Sequence, residues 1–225
     1  MKTFTLAPVV LAIAAFLTGP APAALAQAKH PRMSISHNDA AAALRQDMRK
    51  LWTDHVVWTR DYIIAAVGDQ PDATAAANRL MRNQEDIGNA IAKFYGAPAG
   101  QQLTTLLKQH ISIAVDLIKA AKGGDKASQQ QADEKWQQNA MDIADFLSEA
   151  NPNWPKATLV DLMKKHLSTT TNEVAARLNK NWEEDARAFD AVYDHILQMA
   201  DALSDGIVKQ FPDKFSSPSA TTAAR

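Results

Sequence analysis

No cysteine occurs in the 225 residues. Disulfide crosslinks and thiolate zinc or iron–sulfur sites are thereby excluded, so stability must come from a packed core and any metal site must use nitrogen, oxygen or thioether ligands. A charge excess is also lacking, with 24 Lys and Arg against 25 Asp and Glu, which leaves no basic surplus to attract nucleic acid or anionic lipid. Alternation of apolar and polar residues at a period of two is missing, so no strand is expected. There is no H-E-x-x-H zinc helix, no Glu-x-x-His pair of the di-iron bundles, no C-x-x-C-H haem attachment and no phosphate-cradling Gly-rich loop.

What is present begins with an export signal. Lys2 supplies a short positive start, Leu6 to Leu17 an apolar run too short to span a bilayer, and Ala24-Leu25-Ala26 a small-x-small cleavage pattern. Residues 1–26 read as a secretory signal cut after Ala26, with an uncleaved anchor as the alternative, and the expected location is periplasmic or secreted. The mature chain, 27–225, has 199 residues, enough for one domain. Losing Lys2 leaves its balance at −2. No later stretch is long and apolar enough for stable membrane insertion.

Glycine and proline then punctuate the chain at nearly even intervals: Gly68 to Pro71, Gly96 to Pro98, Gly123-Gly124, Pro152 to Pro155, and Pro212. Between them apolar residues recur at three and four, as in Leu103, Leu106, Leu107, His110, Ile113, Ala114 and Leu117. Asp125 reads as an N-cap, Pro98 and Pro155 as first helical positions, and Asn181 with Glu184 as a capping box. The pattern predicts an all-α fold of six helices at about 39–68, 72–95, 98–122, 126–149, 155–179 and 182–210. Residues 27–38 read as an extended leader, 39–212 as a single bundle domain, and 213–225 as a disordered tail.

An internal repeat underlies the six helices. A shift of 56 places Asn83 on Asn139, Asp86 on Asp142, Ile87 on Ile143 and His110 on His166, and a second shift places Asn139 on His195 and Leu147 on Leu203. The chain thus reads as three copies of one helical hairpin, and the short turns favour an up-and-down antiparallel six-helix bundle.

One polar residue per helix marks its middle: His55, Asn83, His110, Asn139, His166 and His195. The midpoint between each consecutive pair falls in a predicted turn, so in antiparallel hairpins all six sit at one level. Each also belongs to the apolar face of its helix. The level on one side would hold Trp52, Ile87, Leu107, Ile143, Met163 and Met199. The other would hold Thr59, Leu80, Ala114, Trp136, Thr170 and Val192. A buried polar group without a partner costs ~1–3 kcal/mol, so six of them must be satisfied by one another, by water or by a bound species. Burial favours neutral imidazole, the form that ligates metals.

His55, His110, His166 and His195 are therefore candidate ligands for a transition metal, zinc or copper first, with Asn83 and Asn139 completing or orienting the shell. Asp86 and Asp142, three residues beyond the asparagines, read either as partners that orient imidazoles or as a solvated face. Glu173, seven beyond His166, reads as a carboxylate at a second level or as one that reaches solvent. Met163 and Met199 share a height, and two core methionines explain them as simply as copper does. The five tryptophans read as core and helix-end packing, and His30 and His37 as uninvolved leader residues.

The stretches Leu51-Trp52-Thr53-Asp54-His55 through Arg60, Asn83 to Asn89 through Tyr95-Gly96, and Leu106 to Lys122 resemble a family of small uncharacterised bacterial helical proteins. Members have carried labels such as glycosyltransferase or acetylglutamate kinase. Such enzymes need an α/β sheet and a phosphate site, and this sequence offers neither, so the resemblance implies no residue roles. The expected function is an exported protein that binds a transition metal or small ligand at the His/Asn layer, for storage, delivery or sensing. Catalysis is the poorer fit, because no acid–base or nucleophile pair stands out. The rival is a structural or interaction module whose layer only fixes helix register, as a buried Asn does in coiled coils.

Overall fold

The computed structural model describes residues 37–216, with side chains from Ala40 onward. Six helices follow one another: α1 His37–Val67, α2 Ala73–Tyr95, α3 Ala97–Gly123, α4 Lys126–Ala150, α5 Lys156–Leu178 and α6 Trp182–Gln210. A short 3-10 turn, Pro212–Lys214, ends the described chain, and no strand occurs among the described residues. The signal, and with it any statement about its cleavage, lies outside the described residues.

The helices stop where the sequence punctuates them, for local reasons. After α1, Asp69 takes a left-handed conformation at φ 54° just behind Gly68. Gly96 at φ 87° separates α2 from α3, and Gly124 at φ 72° ends α3 with its N–H on the carbonyls of Ala120 and Ala121, a geometry that a Cβ would strain. Asp125 caps α4 by accepting from the Ser128 N–H at 3.1 Å. Asn181 caps α6 by accepting from the Glu184 N–H at 3.3 Å. Pro155 lies just before α5 instead of at its first position, while Pro98 is inside the first turn of α3.

Both ends of the packed chain differ from expectation. α1 begins at His37, so the last two residues assigned to the leader are helical. Past residue 212 the chain keeps packing: Phe215 is buried and stacks on Phe94 with ring centres 5.9 Å apart. One aromatic in a Ser- and Lys-rich stretch is enough to hold it against the core.

Consecutive helices pack on each other, and α6 packs back on α1, so the helical bundle closes on itself. Contacts of α1 with α3 and α5 bring the odd-numbered helices together. Two close approaches depend on glycine. A Cβ on Gly88 of α2 would lie 2.6 Å from the Gly100 carbonyl oxygen of α3, and a Cβ on Gly206 would strike the Trp154 indole. The apolar core falls into a large cluster that includes Trp52, Leu107, Ile143, Met163 and Met199, and a small one of Tyr62, Ile63, Ala76 and Ile118. Along α3 His110 lies between Leu107 of the large cluster and Ile118 of the small one.

Candidate ligand site

All six layer residues are buried, none more than 6 % exposed. The histidine rings gather around His166: its centroid is 5.6 Å from that of His55, 6.0 Å from His110 and 6.5 Å from His195. Three hydrogen bonds share one pattern. Asn83 Nδ2 donates to the Leu51 carbonyl at 3.0 Å, Asn139 Nδ2 to Leu106 at 3.1 Å, and His195 Nε2 to Leu162 at 2.9 Å. Each acceptor lies four residues before a layer histidine. It is the carbonyl to which that histidine's own N–H points in an α-helix.

These bonds assign the side-chain atoms. A carbonyl only accepts, so the end of Asn139 against Leu106 is its NH2 and the other end is oxygen. That oxygen lies 2.8 Å from His110 Nδ1. His110 must therefore be protonated at Nδ1, and its Nε2 carries a lone pair. Gln84 donates to both the Leu80 carbonyl (2.8 Å) and Asn83 Oδ1 (3.2 Å). Its own oxygen faces the ring of His55, and this interaction favours the protonated form there.

Burial keeps the imidazoles neutral. It pushes His55 down to about 3, with the neighbouring His110 adding to the effect. It pushes His110 down to about 4 against the opposing hydrogen bond of Asn139. His166 falls well below the usual histidine range through burial and through the three other rings around it. His195 is lowered as well, by burial, although its bond to Leu162 opposes this.

A cavity of about 550 Å³ opens on one side of the layer. The odd helices explain its position. One turn before their histidines they carry Trp52, Leu107 and Met163, which are buried and fill the space. One turn after, they carry Thr59, Ala114 and Thr170, which are too small to fill it and line the cavity. His55, His110, His166 and Trp136 complete the floor, apolar side chains such as Leu117 and Val174 form the walls, and the exposed Lys126 and Gln130 stand at the rim. Four buried polar atoms of these residues have no partner in the protein: His110 Nε2, His166 Nδ1, Thr170 Oγ1 and Trp136 Nε1. The cavity escaped the sequence reading, although the small residues four after each odd-helix histidine were its signal.

The other candidate residues lie elsewhere. Asp86 is half exposed and 3.7 Å from Arg79, and Asp142 is exposed and accepts from Gln138 at 2.9 Å. Neither orients an imidazole. Glu173 is buried and pairs with Arg60 at 2.7 Å, in a cluster where Arg60 and Arg177 also hold the buried Asp185. Burial raises its carboxyl to about 7 in spite of Arg60. Trp182 is not core: it is 56 % exposed, beneath the Arg177 guanidinium. Among the described residues no three His, Asp or Glu side chains stand in an arrangement ready to hold a metal ion, and no helix is long and apolar enough to cross a membrane.

No family model, curated protein or solved structure matches this chain.

Proposed function

We propose that this chain is an exported binding protein that takes a small organic ligand into the mid-bundle cavity, for storage, delivery or sensing. The observation that carries the proposal is the collection of four unpartnered buried polar atoms on residues lining one cavity. Leaving such a group unmet costs ~1–3 kcal/mol, and a domain has only ~5–15 kcal/mol of stability. Largely apolar walls with a few convergent polar groups, at a few hundred Å³, are the usual character of a small-molecule site. A layer that served helix register alone would pair its members, yet the only bonded pair among the six is His110 with Asn139.

The frame we propose is an up-and-down antiparallel bundle of three repeated hairpins with a period near 56. The carbonyl bonds of Asn83, Asn139 and His195 support it, since their donors and acceptors recur at that spacing.

A transition metal, zinc or copper first, is the second reading. One observation favours it: Asn139 fixes the His110 tautomer that leaves Nε2 free to ligate. His55 and His166 would be the further ligands. His195 would contribute only through Nδ1, because Nε2 is held by Leu162.

Titration with the neutral fluorophore N-phenyl-1-naphthylamine tests the organic reading. Saturable binding with enhanced emission is expected, and Ala114→Phe, which fills the space beside His110, should abolish it while the far-UV circular dichroism is unchanged. Absence of binding to the wild type, or equal binding to the variant, would reject the cavity as the site. For the metal reading, a metal that binds only the folded state stabilises it by ~2.7 kcal/mol at a hundredfold excess over Kd. Zinc, copper, nickel or cobalt should then raise the melting temperature near pH 7 and much less near pH 5, because protons compete for the imidazoles.

A further inference from the structure

The stripe of α4 that faces the bundle interior changes character along the helix. Leu147, Ile143, Ala140 and Trp136 are buried and apolar. The same spacing of three and four continues onto Asp133, Gln129 and Lys126, and these three line the cavity. The walls that α3 and α5 supply are apolar, as at Leu117 and Val174. An apolar residue at 133 would pack on those walls, and a carboxylate stands there instead.

Asp133 is half-buried and makes no hydrogen bond or ion pair among the described residues. Its oxygens are accessible, whereas the unpartnered nitrogens of the floor are closed off. Lys126, the other charged residue lining the cavity, does not answer it. Its Nζ is held by Gln129 Oε1 at 3.2 Å, and the seven residues between the two charges span ~10 Å of helix. The layer imidazoles add no positive charge at pH 7, since burial holds them neutral.

The missing partner is therefore defined by its chemistry. A carboxylate only accepts, so the ligand group that meets it must donate. A positive charge on the donor makes the bond stronger. A protonated amine supplies both, an alcohol supplies only the donor, and a carboxylate ligand is repelled. At a half-buried position the ammonium keeps part of its hydration while its body is buried, as a lysine head does above an apolar surface, so the cost of burying a bare charge is avoided.

We infer that the ligand of this cavity is an amphiphilic amine, whose ammonium donates to Asp133 and whose apolar body lies along the α3 and α5 walls. This inference rests on the organic-ligand reading above.

Displacement of N-phenyl-1-naphthylamine at pH 7 by three probes of similar size tests it: 4-butylbenzylamine, which is protonated at that pH, the neutral 4-butylbenzyl alcohol, and the anionic 4-butylbenzoate. The amine should compete about tenfold better than the alcohol, the fold-change for one charge-assisted hydrogen bond, and the benzoate should compete worst. In Asp133→Asn, which keeps the size and removes the charge, amine and alcohol should compete about equally, with the far-UV circular dichroism unchanged. Glu134→Gln removes a neighbouring exposed carboxylate that does not line the cavity, and it should leave the amine preference intact. If the dye binds but amine and alcohol compete equally in the wild type, the amine inference is overturned and the cavity reading stands. A benzoate preference, or an amine preference that survives Asp133→Asn, overturns it as well. If the dye does not bind at all, the cavity reading fails and this inference falls with it.

Discussion

Lowering the pH from 7 to 5 should remove at least ~4 kcal/mol of folding stability, a lower bound worked from four buried groups, to which the lowered His195 adds in the same direction. His55 and His110 sit at about 3 and about 4 in the folded protein, and His166 well below the usual range, against ~6.5 in an unfolded chain. A histidine depressed on folding binds its proton first in the unfolded state, so stability falls as pH falls below ~6.5. At ~1.4 kcal/mol per pH unit, each of the three loses ~2 kcal/mol by pH 5, or ~6 together. Glu173 works in the opposite sense. Its folded carboxyl is raised to about 7, so its contribution is present at low pH and is lost as pH rises through 7. Between pH 7 and pH 5 it restores ~2 kcal/mol. The net loss is a large share of a typical ~5–15 kcal/mol. Urea unfolding followed by far-UV circular dichroism at pH 7, 6 and 5 measures it. Glu173→Gln should deepen the loss to ~6 kcal/mol, and His166→Gln should lessen it by ~2. Stability that holds level or rises between pH 7 and pH 5 would refute the claim that the core imidazoles are held neutral.

The pairing of His110 with Asn139 predicts strong coupling. Asn139→Leu and His110→Leu should each cost ~1–3 kcal/mol by leaving a buried partner unmet, while the double replacement costs little more than either. Strict additivity in the double-mutant cycle would contradict the pairing. The shared carbonyl bond predicts that His195→Asn, which places the residue of α2 and α4 into α6, changes stability by less than ~1 kcal/mol, with His195→Leu the more costly because the Leu162 contact is lost; equal melting temperatures for the two variants would argue against the proposed repeat. At the chain end, Phe215→Ala should lower stability by ~3 kcal/mol, as removal of a buried aromatic does, and a variant indistinguishable from wild type would mean that the end does not pack on Phe94.

The helices were legible because their stops are chemical. A left-handed glycine, an Asp or Asn cap and a proline act within a few residues, so each helix end falls within about two residues of the punctuation. The core-facing position of the layer was legible because a helix has a fixed period, and His110 falls on the stripe of Leu106, Leu107, Ile113 and Leu117. The cavity was not read, because it arises from volumes on three helices distant in sequence. Thr59, Ala114 and Thr170 each look ordinary alone, and only their meeting leaves a space. The same distance hid the partner of Glu173, since Arg60 lies 113 residues before it. The aspartates illustrate the limit of helical arithmetic. Three residues beyond a buried asparagine is about 60° short of a full turn, and for Asp86 and Asp142 that angle faces solvent. Packing of Phe215 is not legible because its Ser- and Pro-rich surroundings carry no helical period.

The most direct test of the central claim is 15N NMR of the histidine rings with and without saturating N-phenyl-1-naphthylamine. A ligand in the mid-bundle cavity should shift the ring nitrogens of His55, His110 and His166 and leave those of His195 nearly unmoved. Saturation of the dye with the three floor imidazoles unchanged would place binding elsewhere and contradict the account.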